Sequence, residues 1–131
     1  MPGVFRNVII STVRKDVSVP EVIERTLDGH KVVYILYSPD DVILPPLSSV
    51  SINTGLIISV YNRTVGKFSG YNGLAEFGME AIPHPEVIAG SDGLVSVLIE
   101  MKNLRAVENA IERNSEIASF TLWNLFRQLG V

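Results

Sequence analysis

The sequence predicts an all-β fold, either a sandwich or a barrel. Short runs rich in valine, isoleucine and aromatic residues recur along the chain, which is typical of strands. Glycine, proline and aspartate separate these runs at short intervals, as expected for turns between strands. The 131 residues are 47% hydrophobic and 19% charged, so we predict one ordered domain, residues 1–131, with a single core.

Composition excludes several classes of function. The chain has no cysteine, which removes disulfides, thiolate metal sites and cysteine nucleophiles. Its net charge is -3 and its basic residues are scattered, so we expect no nucleic-acid partner. No apolar run has the length of a signal peptide or a membrane span, so we expect a soluble intracellular protein without a membrane partner. The low charged fraction favours a further apolar interface, and we expect a homo-oligomer.

The first third of the chain contains three strand candidates. Val4–Val13 is the first, and Val17–Val22 is a short second one, which Pro20 confines to an edge or a bend. Glu21–Leu27 fits one helical turn or a loop. Lys31–Tyr37 has strong strand propensity, and because nearly all of it is apolar we predict that it is buried on both faces or nearly so.

Two further strands follow on either side of a proline pair. Val42–Leu44 is a short strand that Pro45 and Pro46 end, because proline cannot donate a ladder hydrogen bond. Val50–Val60 is a longer strand whose alternation Gly55 interrupts. An isolated glycine inside a strand pattern predicts a bulge or a corner.

The rest of the predicted fold is organised around residues 66–103. Val65–Phe68 and Leu94–Ile99 have the composition of strands, and glycines and prolines punctuate the residues between them. We predict a short helical or looped segment after the first strand, then a proline-rich loop around Pro83 and Pro85, then a long buried strand.

Two interpretations are open for the last 28 residues. Apolar residues at helical spacing favour a helix over Leu104–Ile111 or over Ser115–Leu129. A family resemblance instead favours a strand over Ile117–Trp123, and we predict the strand.

This resemblance rests first on the central stretch. Residues 71–75 read YNGLA with Gly78 and Met79 behind them, and residues 87–93 read VIAGSDG before a strand that Asn103 closes. The pattern resembles the second and third motifs of the trimeric dUTPase and dCTP deaminase superfamily. Residues 34–38 resemble the family's first motif, and residues 41–46 resemble its Ile-Pro-Pro segment. Residues 54–56 resemble its Thr-Gly-Ile, and residues 111–120 resemble its fourth motif. The resemblance thus covers almost the whole chain in the right order.

The resemblance implies a distorted β-barrel of the dUTPase type, a β-clip, that assembles as a homotrimer. In active members, carboxylates bind magnesium and activate water while an arginine and a serine grip phosphate. Carried over by position, the first aspartate becomes Ile35, and the arginine and serine become Tyr71 and Asn72. The third-motif aspartate becomes Ile88 or, with a one-residue shift, Ala89.

The sequence therefore predicts a degenerate nucleotide pocket. Its positions are Ile35, Tyr71, Asn72, Gly73, Ile88 and Glu100. Hydrocarbon side chains cannot bind magnesium or accept a proton, and the fourth-motif Asp-Arg pair becomes Ser115-Glu116, where the glutamate would repel phosphate. We predict no catalytic residue, no metal and no cofactor, and no counterpart of the family's glycine-rich C-terminal arm. Tyr71 is expected to fill vacated space at a subunit contact.

Glu100 is the residue that argues for an enzyme. It matches the glutamate that deaminase members use as a general acid and base, so a divergent nucleotide hydrolase or dCTP deaminase-like enzyme is the alternative. Because no phosphate ligands accompany it, we predict a strand residue that faces solvent or pairs with a lysine. His84, between two prolines, is predicted to be a loop residue and not a metal ligand.

The favoured function is non-enzymatic. The family's framework residues are present and its chemical residues are replaced, which is the pattern of a scaffold that has lost catalysis. The dUTPase-like early protein of adenoviruses is similar in the run of Tyr, Ser-Pro and Pro-Pro found in residues 34–46. We therefore expect a viral origin and a place in the cytoplasm or nucleus of a host cell. A structural subunit of a larger assembly, such as a virion component, stays open.

The predicted partners are other copies of the chain, in a homotrimer, and a host or viral protein. The chain ends in QLGV, so Leu129 and Val131 would fit a PDZ-type groove by strand addition, with the terminal carboxylate bound by backbone amides. The competing interpretation is that both residues finish a strand or pack on a neighbouring subunit.

Overall fold

Strands dominate the chain, as its β-branched runs require. The computed structural model describes residues 8–17, 20, 22–25, 31–61 and 63–124. Two short 3₁₀ helices, Asn72–Phe77 and Gly90–Asp92, lie in this part of the chain. It also contains eleven strands, which are β1 (Val8–Thr12), β2 (Val22–Arg25), β3 (Lys31–Tyr37), β4 (Val42–Leu44), β5 (Ser49–Val60), β6 (Thr64–Gly70), β7 (Met79–His84), β8 (Val87–Ala89), β9 (Val95–Asn103), β10 (Asn109–Ile111) and β11 (Glu116–Asn124).

The strands pair antiparallel in two main sheets. One sheet has four strands in the order β1-β5-β9-β7, and the other has five in the order β2-β3-β11-β6-β8. A separate two-stranded ladder joins β10 to β4. The predicted all-β class is confirmed, but the sheets are open and do not close into a barrel.

One hydrophobic cluster takes side chains from both main sheets. In β3, Val32, Tyr34 and Leu36 are buried, because alternate side chains of a strand point to opposite faces. Phe120 of β11 stacks on Phe68 of β6, with ring centroids 4.5 Å apart. The expectation that β3 is buried on both faces is wrong in part. The side chains of its second face are half-buried, and the last of them, Tyr37, is exposed.

The strand β5 bends at Gly55, where the sequence predicts a bulge or a corner. The register with β9 shifts between Asn53 and Ile57. Gly55 has φ of +76°, in the left-handed region that glycine enters without strain, and its N–H donates to Asn53 Oδ1 at 2.9 Å. Thr54 Oγ1 donates to the Val97 carbonyl at 2.8 Å, so the buried hydroxyl beside the bulge is satisfied. The prediction is confirmed.

Asn103 closes β9 and holds two loops together. Its side chain is buried, and Nδ2 lies 3.1 Å from the Leu44 carbonyl, 3.1 Å from that of Pro45 and 2.9 Å from that of Val107. Its Oδ1 accepts the backbone N–H of Arg105 at 3.0 Å. The asparagine that ends the strand is therefore a structural tie.

The predicted strands of the first half are largely confirmed by β1, β3, β4 and β5. The prediction for Val4–Val13 holds over β1, while its residues 4–7 lie outside the described part. The expectation of a helical turn or loop over Glu21–Leu27 is wrong at Val22–Arg25, because β2 pairs there with β3, and its other residues lie outside the described part. The predicted strand Val17–Val22 is not found at Val17, and most of its remaining residues lie outside the described part.

The central stretch holds more strand than the sequence predicts. The predicted strands appear as β6 and β9, and the short helical segment appears as Asn72–Phe77. The predicted proline-rich loop is wrong at Pro83, since β7 pairs with β9 and places Pro83 opposite Ile99, and it is confirmed at Pro85, which lies in the short bend between β7 and β8. Because β7 ends its sheet, proline can occupy it without breaking a ladder on both sides. The short strand β8 had no prediction of its own.

In the tail, the strand interpretation is confirmed. Glu116–Asn124 forms β11, so a helix over Ser115–Leu129 is wrong across those residues. A helix over Leu104–Ile111 is also wrong, because Leu104 and Val107 are exposed and β10 pairs with β4 instead. The sequence predictions for Leu129 and Val131 lie outside the described residues. Across the described chain, no helix has the length and apolar character needed to cross a membrane.

Candidate functional site

The main candidate site is a groove of about 360 Å³ between the 3₁₀ helix Asn72–Phe77 and the β10–β11 connection. Its lining brings together two predicted motif positions, Tyr71 from the second motif and Ser115-Glu116 from the fourth. Residues 44 positions apart in sequence thus share one surface. In the active family these positions grip phosphate, so the resemblance directs attention to this groove.

The groove is built from parts that hydrogen bonds hold in place. The Tyr71 N–H donates to the Ile117 carbonyl at 3.0 Å, which fixes the start of the 3₁₀ helix against β11. The helix ends at Gly78, whose φ of +72° suits glycine and whose N–H donates to the Ala75 carbonyl. Asn109 Nδ2 donates to the Phe77 carbonyl at 2.7 Å and ties the helix to β10.

The chemistry of the groove is apolar and acidic. Leu74, Met79 and Ile111 are buried and form its floor. Phe77 lines it with a side chain that is 58% exposed, and Tyr71 is 42% exposed. Among the described residues, its ionisable side chains are those of Tyr71, Glu112 and Glu116, and no lysine or arginine lines the groove.

Ile35, the predicted first-motif position, lies in a different place. It lines a cavity of about 120 Å³ together with Asp16, Arg113 and Asn114. The resemblance implies a magnesium ion held by an aspartate at this position, but Ile35 has no oxygen to offer a hard cation. Among the described residues, no group of three or more His, Asp or Glu side chains could hold a metal. Among the described lining residues Asp16 is the one carboxylate, and Arg14 binds both of its oxygens.

A network of opposite charges lies beside this cavity and was not predicted from the sequence. Arg14 binds Asp16 through Nε and Nη2 at 3.0 and 2.6 Å, and binds Asp40 through Nη1 and Nη2 at 2.8 and 2.9 Å. These hydrogen bonds lower the pKa of both carboxyls and raise the pKa of Arg14. Arg113 Nη2 lies 3.8 Å from Asp16 Oδ2.

Ile88 is a core residue. It is 1% exposed and lies opposite Gly66 in the β6–β8 ladder. Ala89, its one-residue-shifted alternative, is half-buried, and its N–H donates to Asp92 Oδ2 at 2.7 Å. The third-motif positions therefore serve packing and a turn.

Asn72 and Gly73 lie in the 3₁₀ helix beside Tyr71. Asn72 is exposed and lines a second hollow of about 280 Å³ that also contains Leu104 and Glu80. A Cβ at Gly73 would overlap the Tyr71 ring, so this glycine lets the ring lie across the backbone.

Glu100 lies on β9 in the four-stranded sheet, away from the groove lining. Its Oε1 is 3.2 Å from His84 Nε2, and this hydrogen bond is the main cause that lowers the pKa of Glu100. A hydrogen bond with Ser49 and the charge of Lys102 lower it further, so the predicted strand residue is part-exposed and pairs mainly with histidine, with lysine a weaker partner. His84 ends the strand β7, so the expectation that it is a loop residue is wrong.

The structure thus divides the six predicted positions among four surroundings. Tyr71, Asn72 and Gly73 lie together, whereas Ile35, Ile88 and Glu100 each lie elsewhere in the single chain. Phe77 and Glu112 line the groove but were not predicted as site residues. No signal in the sequence distinguishes Phe77 from a core aromatic, because only the tertiary structure leaves its ring exposed.

Comparisons with known proteins show the fold. No family model matches the chain, and no curated protein matches it. Among solved structures, it is similar to a point mutant of the dUTPase of phage phi11 of S. aureus, with a TM-score of 0.69 and 14% identity over 89% of this chain and 90% of that one. It is also similar to the dUTPase of Staphylococcus bacteriophage 80alpha, with a TM-score of 0.66 and 16% identity over 91% and 90%.

These similarities confirm the dUTPase fold that the sequence motifs predict. Identities of this size show the fold alone and leave the chemistry of this chain to its own residues. The phi11 protein coordinates a structural Mg(II) ion, and the 80alpha protein controls transfer of virulence genes by a proto-oncogenic G protein-like mechanism. The homotrimer remains a prediction.

Proposed function

We propose that this chain is a catalytically inactive dUTPase-like protein of viral origin that serves as a scaffold for protein interaction or structure. One observation carries the proposal. Where the active family grips phosphate, this chain presents the groove of Tyr71, Phe77, Glu112 and Glu116, without a lining lysine or arginine among the described residues.

The physical reason is charge. A nucleoside triphosphate is a polyanion, and tight binding needs charge-assisted hydrogen bonds from cations or a bridging metal. Glu112 and Glu116 would repel it, and Ile35 supplies no magnesium ligand at the predicted first-motif position. A dUTPase fold with this groove has lost the means to bind the substrate, so turnover is not expected.

Self-association as a homotrimer belongs to the same proposal. Large apolar side chains are exposed on the single chain. They include Ile9, Val13, Tyr37, Ile43, Leu47, Tyr61, Leu94 and Leu104. An interface between copies would cover part of this surface. The adenovirus resemblance and the phage source of the similar structures both support a viral origin.

The alternative function, a divergent nucleotide hydrolase or dCTP deaminase-like enzyme, depends on Glu100. Its hydrogen bond with His84 lowers the pKa of its carboxyl, so it stays ionised and is a poorer base than a free glutamate. A Glu100→Gln variant tests this alternative, because any deaminase or hydrolase activity of the purified chain should disappear with it.

Thermal unfolding with dUTP, dCTP or dATP in the presence of magnesium tests the proposed function. A ligand that binds only the native state raises the melting temperature by mass action. We expect no shift at millimolar nucleotide, while an active dUTPase assayed alongside should shift. A clear shift with any of the nucleotides would overturn the inactive-scaffold proposal.

A further inference from the structure

We propose that the acidic, apolar groove beside Phe77 is a docking site for a basic peptide segment of another protein, in which a large apolar side chain is flanked by lysine or arginine. The inference rests on the proposed scaffold function and names the chemistry of its partner. Four observations support it: the volume of the groove, its exposed aromatic residue, its charge and the hydrogen bonds that hold it in place.

The groove has the dimensions of a site for one large side chain. Its volume of about 360 Å³ falls in the range typical of binding pockets. Buried Leu74, Met79 and Ile111 form an apolar floor. Burying a leucine or aromatic side chain there would contribute about 1.5–3 kcal/mol before the costs of association.

Phe77 is the anchor of the groove. More than half of its side chain is exposed although a buried apolar floor lies beside it. Exposed aromatic residues next to apolar pockets are frequent hot spots of protein interfaces.

The charge of the groove selects the partner. Glu112 and Glu116 both line it, and the described lining holds no basic residue to balance them. Arg14 binds the carboxylates of Asp16 and Asp40. Glu112 and Glu116, by contrast, belong to no observed ion pair between described residues. Lysine or arginine beside the apolar anchor would gain attraction there, and an acidic peptide would be repelled.

The groove is already formed in the single chain. The bonds from Tyr71 to Ile117 and from Asn109 to Phe77 hold the 3₁₀ helix against two strands. Gly78 closes the helix against the Arg105 side chain. A preformed groove needs little ordering on binding, which reduces the entropic cost that weakens loop-based sites.

A pair of fluorescent peptides tests the proposal. Both carry the same leucine and tryptophan residues, one with lysines between them and the other with glutamates. We expect the lysine peptide to bind the full chain at least about tenfold more tightly, as electrostatic complementarity predicts. Amide NMR signals of Tyr71, Phe77 and Glu116 should shift on binding.

Matched charge variants distinguish the effect of the groove on peptide affinity from the effect of the protein's net charge. The double variant Glu112→Lys with Glu116→Lys should lose at least about tenfold in affinity for the lysine peptide. The control, Glu86→Lys with Glu108→Lys, changes net charge equally at exposed sites outside the groove lining and should bind nearly as the parent does. Circular dichroism checks that both variants are folded.

Several outcomes would overturn the proposal. Equal binding of the two peptides would remove the charge argument, and an equal loss in the control variant would reduce it to non-specific attraction. If Phe77→Ser converts an oligomer to a monomer and the parent binds neither peptide, the groove is an interface between copies. Failure of peptide binding without a nucleotide shift overturns this inference alone, whereas a nucleotide shift overturns the proposed function.

Discussion

At the scale of single residues, glycines show which close contacts the fold depends on. A Cβ at Gly66 would overlap the Phe120 ring, which is fully buried and stacked on Phe68. A Cβ at Gly73 would meet Tyr71 instead, whose ring is part-exposed and free to rotate away. The two substitutions would bring a Cβ similarly close to a ring, but they should differ in their cost to stability, because only the ring at the surface can move.

These contacts give the first prediction. Gly66→Ala should destabilise the fold by about 1–3 kcal/mol, since an overpacked core must shift side chains or backbone. Gly73→Ala is the matched control and should cost much less. Urea unfolding measures both, and similar losses in the two variants would show that the Phe120 ring yields as easily as that of Tyr71.

Asn103 supplies the second prediction. One amide serves the carbonyls of Leu44, Pro45 and Val107 and accepts the N–H of Arg105, all at a buried position. Asn103→Asp replaces the donor with an acceptor that faces three carbonyls, and should cost about 2 kcal/mol or more in the free energy of unfolding.

Asn53→Asp is the control for this substitution. Asn53 uses its oxygen to accept the Gly55 N–H, and aspartate keeps that acceptor. Chemical denaturation of both variants should therefore separate them clearly. A loss at Asn53→Asp as large as that at Asn103→Asp would contradict the assignment of Asn103 as a buried donor.

At the scale of elements, one arginine ties the segment after β1 to the loop after β3. Arg14 makes paired hydrogen bonds to both Asp16 and Asp40, while the Val13 N–H donates to the Gly55 carbonyl. Segments distant in sequence are thus joined at the surface. The solvent exposure of all three charged side chains keeps the contribution modest.

The pH dependence of this tie is the third prediction. Arg14 lowers the pKa of Asp16 and Asp40, so its contribution is present above their unfolded pKa of about 3.9 and is lost as pH falls through the lower folded values. The gap between the parent and Arg14→Met in urea midpoint should therefore be constant near neutral pH and vanish in acid.

The control for the pH series is Lys15→Met, which removes the same charge one residue away. Its midpoint difference from the parent should change little with pH. High salt should narrow the gap for Arg14→Met as well, because exposed charges are screened. A gap that persists in acid would show that Arg14 acts through packing of its stem and not through the two carboxylates.

At the scale of the whole molecule, β11 joins the five-stranded sheet. It pairs with β3 on one side and β6 on the other, and its Phe120 stacks on Phe68 and lies 6.0 Å from the Tyr34 ring. Three strands therefore meet through aromatic contacts at one point of the core.

This position gives the fourth prediction. Phe120→Ala should cost about 3–5 kcal/mol, since it leaves a cavity in the core that few neighbours can fill. That is a large part of the stability of a domain of this size. Tyr37→Ala on β3, where the ring is exposed, is the control and should be nearly neutral. Thermal unfolding distinguishes the two, and comparable losses would place the core elsewhere.

Much of the fold could be predicted from the sequence because strand signals are local. The β-branched runs of β3, β4 and β5, the glycine of the bulge and the ordered family motifs all depend on residues near one another in the chain. In the tail, the resemblance predicted the strand Ile117–Trp123, which lies within β11, whereas helical spacing predicted a helix over residues 104–111 that the structure does not form. Local periodicity failed there because Leu104 and Val107 stay exposed.

Other features depended on contacts between distant residues. Pairing with β3 made a strand of residues 22–25, and an edge position let β7 accept Pro83. Of the predicted pocket positions, Tyr71 lines the groove, while Ile88 proved to be core and Glu100 a partner of His84.

The sequence by itself determined the all-β class and the dUTPase-like order of motifs, because these follow from residue types at fixed spacing, and it predicts that the family's acidic and basic residues are replaced. Only the tertiary structure decided that Tyr71, Phe77, Glu112 and Glu116 share one groove. The physical reason is that burial and the meeting of charges arise when sheets pack, and no local pattern records which side chains that packing leaves exposed.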